Sequence, residues 1–97
     1  MTERAVVITG MGCLSPNGIG REAFFDALAS GTSGLKKISG FPVDDLACRI
    51  AGEITDFDPF LWISQKDAPH VSRTVPLALA ASSEALATGG LDSAALS

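Results

Sequence analysis

Near the amino terminus the run Val6-Val7-Ile8-Thr9-Gly10-Met11-Gly12-Cys13 places an apolar stretch ahead of Gly-x-Gly and a cysteine. Two chemistries could use such a run. A strand followed by glycines can cradle a dinucleotide pyrophosphate at the start of a helix, and a thiol beside a base or a helix start can act as a nucleophile. The cradle needs a third glycine where Ser15 stands, with a helix opening there. Pro16-Asn17-Gly18 prolongs the loop instead. An acid roughly twenty residues further on, to hold the ribose, would be Asp26, inside a predicted helix rather than at a strand end. Gly10 and Gly12 therefore read as a structural turn, with cofactor binding the lesser alternative.

Cys13 has no histidine near it in sequence, so a buried, inert thiol is expected, and the same is expected of Cys48. Two cysteines and the single histidine, His70, are too few for a zinc site. A general base must reach its proton donor, and no nucleophile is identifiable near His70, so it reads as a surface or helix-start residue. The seven Lys and Arg are scattered, the net charge is -4, and the longest basic run is Lys36-Lys37. That excludes a general nucleic-acid surface, which needs a basic face to displace phosphate counterions. No apolar run reaches the length of a membrane span, and the first residues lack the pattern of a secretory leader. The expectation is a cytoplasmic protein with reduced thiols.

The elements that position these residues follow from periodicity. A length of 97 residues allows one small domain, and 46% hydrophobic with 19% charged residues is a globular composition. Ala5 to Thr9 is apolar and rich in β-branched residues, which predicts a strand buried on both faces. Gly10 to Gly20 is a predicted loop. Arg21 to Ser30 is a predicted amphipathic helix with Phe24, Phe25, Leu28 and Ala29 on one side and Gly31 placed to end it. Leu35 to Asp45 is predicted irregular and Cys48 to Ile54 a second strand, closed by Asp56-Phe57-Asp58-Pro59.

Val71, Val75, Leu79, Ser82 and Leu86 mark one face of a long helix ending near Gly89-Gly90. Its other positions are mostly alanine and serine. With Ser72 as its cap, Pro76 falls in the first turn; a start near Asp67 would put Pro76 inside and kink the helix. The later start is expected. Asp92-Ser93 could cap one further turn. So few strands cannot close a sheet, so the chain is expected to be the incomplete beginning of a larger unit.

Taken together, Thr9-Gly10-Met11-Gly12 followed by Ser15-Pro16-x-Gly18 resembles the opening of the β-ketoacyl-acyl-carrier-protein synthases, condensing enzymes of fatty-acid and polyketide synthesis. Gly31-Thr32-Ser33-Gly34-Leu35, Ile50-Ala51-Gly52-Glu53, Asp56-Phe57-Asp58-Pro59, Glu84-Ala85-Leu86 and Gly90-Leu91-Asp92 continue the likeness in order. The resemblance implies an α/β fold, with residues 1–97 the amino-terminal portion of a thiolase-like αβαβα sandwich. It implies decarboxylative Claisen condensation on an acyl carrier protein, no organic cofactor, and a homodimer or a ketosynthase-like heterodimer. A relative lacking the nucleophile, such as a chain-length factor, fits the same residues.

The family's nucleophilic cysteine, in a Thr-Ala-Cys-type motif, and its two catalytic histidines match no position of this sequence. No catalytic residue is therefore assigned here. The family's basic cluster for docking the acidic carrier maps onto Lys66, with His70 where another basic residue is expected and Arg73 at a common family arginine. The intervening Ala68-Pro69 weakens that patch, and an ordinary surface lysine is the other reading of Lys66.

Overall fold

The computed structural model describes residues 3–91. Two short antiparallel ribbons and two helices form the ordered frame. Strands β1 (Leu14–Ser15) and β2 (Gly18–Ile19) pair with Leu14 opposite Ile19, and helix α1 (Arg21–Ser30) follows directly. Strands β3 (Leu35–Lys37) and β4 (Ile50–Gly52) pair with Leu35 opposite Gly52. Single 3₁₀ turns at Pro59–Leu61 and Ala68–His70 lead to helix α2 (Thr74–Thr88).

Helix α1 has the bounds its periodicity predicts. Gly31 follows it in the left-handed region (φ 73°), and its N–H donates to Leu28 O (3.3 Å) while Thr32 N donates to Ala27 O (2.9 Å). This pair of bonds satisfies carbonyls that the helix end would otherwise strand. The packed side differs from expectation. Ala27 is buried and Phe24 half-buried, whereas Phe25 is 70% exposed and Leu28 and Ala29 are exposed. The helix rests on β2 through its small residues: a Cβ on Gly18 would stand 2.7 Å from the Ala23 Cβ.

The predicted loop Gly10–Gly20 contains the β1–β2 ribbon, whose two-residue strands are too short to show alternation. Its turn is held by Ser15 Oγ, which accepts from Asn17 N (3.2 Å) and donates to Gly18 O (3.3 Å). The second predicted strand is present in its centre, Ile50–Gly52. Its partner Leu35–Lys37 lies in the stretch predicted irregular from Gly40 and Pro42 and is a strand instead; all three of its residues are exposed, so it carries no in-out pattern.

Ala5–Thr9 has no ladder partner among the described residues, and Val6 and Ile8 are 98% and 85% exposed rather than buried. An all-apolar strand becomes buried only between neighbouring strands, and neither ribbon runs beside this one.

Helix α2 starts at Thr74, close to the later of the two expected starts, with Arg73 rather than Ser72 as its flanking residue. Pro76 is its third residue, where a missing N–H forfeits no intrahelical bond, and it is fully buried. The face it packs is not the predicted one. Pro76 and Ala80 are buried and Leu77, Ala81, Glu84 and Ala85 half-buried, against β1 and the Pro59–Leu61 turn. Val75 and Ser82 are exposed and Leu79 is 44% exposed; only Val71 and Leu86 of the expected stripe are half-buried. Where the glycine loop crosses α2, at Ala81 and Ala85, small residues face inward because only they allow backbone-to-backbone approach.

Among the described residues few apolar side chains are buried: Ala27, Val43, Phe57 and Ala80, with Pro76. The radius of gyration is 17.3 Å, against about 13 Å for a compact domain of ~100 residues. The predicted turn at Asp92-Ser93 lies outside the described residues.

Candidate functional site

The Gly-x-Gly loop meets α2 rather than solvent. A Cβ on Gly10 would collide with Ala85 O and stand 2.6 Å from Gly89 N; one on Gly12 would collide with Ala81 O. Both glycines are thus required by a close backbone crossing, and their open sides are closed by α2. Between them the Met11 backbone is pinned at both ends: its N–H donates to Thr88 Oγ1 (3.0 Å) and its carbonyl accepts from the same hydroxyl (3.2 Å).

The side chain that organises this region is Glu84, which is not among the site residues expected from the sequence. Helix α1 has no side-chain cap of its own, since the preceding residue is Gly20 with φ 97°. Glu84 supplies the cap from α2. Its two carboxylate oxygens accept from Arg21 N at 3.2 and 3.0 Å, and one of them also accepts from Cys13 N at 2.8 Å. The Arg21 N–H, then the Cys13 N–H, hold its carboxyl below the usual carboxylate range, with a smaller contribution from the Arg21 charge. The signal was available: Glu84 is the single charge in the fifteen residues of α2, and a lone carboxylate among alanines marks a position with a partner. It also decides the phosphate question. The helix start that would receive a pyrophosphate already holds an anion.

Cys13 is half-buried and Cys48 is exposed, and both are free thiols. Cys48 departs from its expected burial because it precedes β4 on an exposed ribbon, with its Sγ 3.6 Å from Ile50 O. Among the described residues no group of His, Cys, Asp and Glu side chains could hold a metal ion.

The three basic positions fall into two settings. Lys66 and His70 are exposed on one surface turn, built by Asp67 N and Ala68 N donating to Ser64 O (3.1 and 3.0 Å) and His70 N donating to Asp67 O (2.9 Å). Arg73 is drawn away from them. Its guanidinium donates to Ile54 O (2.7 Å) and lies 5.8 Å from the centre of the buried Phe57 ring. It joins the start of α2 to the exit of β4.

Residues 3–97 match the family described as the β-ketoacyl synthase, N-terminal domain. The chain belongs to that family. It is 43% identical over 95 residues to the tetracenomycin polyketide synthase ketoacyl synthase alpha subunit of Streptomyces glaucescens, covering 97% of this chain and 22% of that protein. It is 39% identical over 92 residues to 3-oxoacyl-[acyl-carrier-protein] synthase 2 of Vibrio harveyi, covering 95% and 22%. Among solved structures it matches the ishigamide ketosynthase/chain length factor with a TM-score of 0.78 at 30% identity, covering 92% of this chain and 22% of that one. The chain thus spans about a fifth of the length of these relatives. The fold is the α/β, thiolase-like fold of this β-ketoacyl synthase family, of which the two ribbons and two helices are one part. Among the described residues no helix is long and apolar enough to cross a membrane.

Proposed function

We propose that residues 1–97 are the opening part of the amino-terminal domain of a 3-oxoacyl-[acyl-carrier-protein] synthase acting in fatty-acid or polyketide synthesis. The observation that carries this is the likeness to named synthases over 97% and 95% of the chain, through the glycine loop, both ribbons and α2. The whole enzyme would take an acyl group onto a cysteine thiolate. It would then decarboxylate a malonyl-carrier thioester and join the resulting carbanion to the acyl carbonyl, with histidines stabilising the thioester oxyanion.

The role of this chain is scaffold. The glycine loop, α1 and α2 set one corner of the fold and supply no reacting group, so the chain by itself is inactive. Its proposed contact with the acyl carrier protein is the surface turn bearing Lys66 and His70, with Arg73 holding that turn to β4. The assembled enzyme is a cytoplasmic homodimer, or a heterodimer of ketosynthase type.

Two assays test the proposal together. The purified chain should release no carbon dioxide from a malonyl-carrier thioester. A Vibrio harveyi synthase whose aligned segment is replaced by residues 3–91 should still condense. Decarboxylation by the chain alone, or a folded chimera without activity, would overturn it. A second reading, a chain-length-factor relative, is favoured by the name of the solved ketosynthase/chain length factor. Reading the gene on the far side of the Ser97 codon separates the two, since only the active synthase needs a Thr-Ala-Cys motif and two later histidines.

A further inference from the structure

The glycine loop and the head of α1 share one feature: neither secures its own backbone N–H groups. Cys13 N lies just ahead of β1, and Arg21 N is the first amide of a helix whose flanking glycine has no side chain to offer. Both donate to the same carboxylate, at 2.8 Å for Cys13 and 3.0 Å for the shorter Arg21 bond. That carboxylate belongs to a residue 63 positions beyond Arg21 and 71 beyond Cys13. Charge-assisted bonds to a carboxylate are stronger than neutral ones, and an amide left without its acceptor bears the full cost of desolvation.

We propose that Glu84 is a latch: one carboxylate that ties the Cys13 end of the glycine loop and the head of α1 to α2 as a single unit, beside the separate Met11–Thr88 bonds. Arg21 faces it from α1 and favours its ionised form, Cys13 faces it from the loop through its backbone N–H, and Asp56 and Asp58, of like charge, line the same groove from the segment after β4. No other charge lies on α2 itself. The glycines at 10 and 12 bring the loop within reach, and the latch fixes it there. Release of Glu84 should therefore loosen both segments from α2 together, since the Leu14–Ile19 pairing and the Gly20 N–Cys13 O bond (2.8 Å) already join them to each other.

The test uses the intact chain. Amide hydrogen exchange at neutral pH is compared in the wild-type protein, Glu84→Ala and Glu84→Gln, with Thr32 N (bonded to Ala27 O, 2.9 Å) as the reference at the far end of α1. In Glu84→Ala the Cys13 and Arg21 amides should both exchange roughly tenfold or more faster relative to Thr32, the change expected when a charge-assisted bond is lost. Glu84→Gln keeps an acceptor without the charge and should lie between. If Glu84→Ala fails to fold, Glu84→Gln and an acid titration of the wild type decide. On titration the Cys13 and Arg21 amide signals should move together, with one shared midpoint below the ordinary carboxylate range, and Glu84→Gln should lack that transition. Acceleration of one amide without the other, unchanged exchange in Glu84→Gln, or separate midpoints would overturn the latch.

Discussion

Gly12→Ala is the sharpest test of why the chain carries glycines beside α2. An added Cβ would collide with Ala81 O, and would also stand 2.8 Å from the Ala81 carbonyl carbon and 3.0 Å from Ala85 N. All three are backbone atoms in the middle of a helix, so no rotamer change can relieve the contact. The loop must lift off by about 1 Å, which strains the Met11–Thr88 and Cys13–Glu84 bonds as well. Overpacking of this kind costs about 1–3 kcal/mol, while the loss of glycine's freedom in the unfolded chain returns about 0.4–1 kcal/mol. With the strained bonds included, the net expectation is about 2 kcal/mol of destabilisation. For a chain of this size that is a fall in melting temperature of roughly 8–16 °C, read by thermal denaturation of the helical circular-dichroism signal.

Gly31→Ala is the control, because Gly31 has φ 73° and nothing within 4 Å of its would-be Cβ. It should cost only the left-handed backbone term, about 1 kcal/mol. A Gly12→Ala protein within about 0.5 kcal/mol of the parent, the ordinary scatter of surface changes, or a Gly31→Ala protein less stable than Gly12→Ala, would refute the close crossing.

Three further outcomes are expected. Arg73→Ala removes both the bond to Ile54 O and the contact with the Phe57 ring, and should destabilise by about 1 kcal/mol in denaturant titrations; no change would mean that the guanidinium holds nothing. Glu53 accepts from Ser39 N (2.8 Å), Gly40 N (3.0 Å) and Ser39 Oγ (3.2 Å), and the Ser39 N–H chiefly holds its carboxyl below the ordinary value. Because the folded value is the lower one, this stability is complete above the unfolded carboxylate range and is lost as pH falls through the folded value. Glu53→Gln should flatten the acid limb of the stability–pH curve, and an unchanged limb would refute the assignment. Lys66→Glu, placed in the chimeric synthase, should weaken carrier binding and reduce its salt dependence; a titration indistinguishable from the parent would remove Lys66 from the docking surface.

What the sequence makes legible depends on how strongly each element advertises itself. Helix α1 is readable to the residue because its apolar period stops where Gly31 supplies the left-handed turn. The end of α2 is readable for the same kind of reason, at Gly89-Gly90. The ribbons escape because β1 and β2 have two residues each and β3 is exposed throughout, so neither length nor alternation is available. The packing of α2 is misread because hydropathy favours Val75 and Leu79, while the crossing with the glycine loop selects for size and turns Ala81 and Ala85 inward. Ala5–Thr9 illustrates a different limit: its composition reads as a strand buried on both faces, and no strand pairs with it among the described residues. Lys66, His70 and Arg73 are close in sequence, yet Arg73 is recruited by Ile54 and Phe57, a pairing that spacing along one helix cannot foretell.

The inward set of α2 has a practical consequence for mutational mapping. Alanine scanning, the usual way to find the residues that matter in a helix, is blind at Ala80, Ala81 and Ala85 because nothing is left to remove. The informative series there runs toward larger side chains, with Ala→Val and Ala→Leu at Ala81 and Ala85 measuring how tightly the glycine loop is seated and at Ala80 how tightly the groove beside Phe57 is filled. On the outward positions Val75 and Leu79 the useful substitutions change polarity instead. A single helix therefore calls for two opposite libraries, separated by about half a turn.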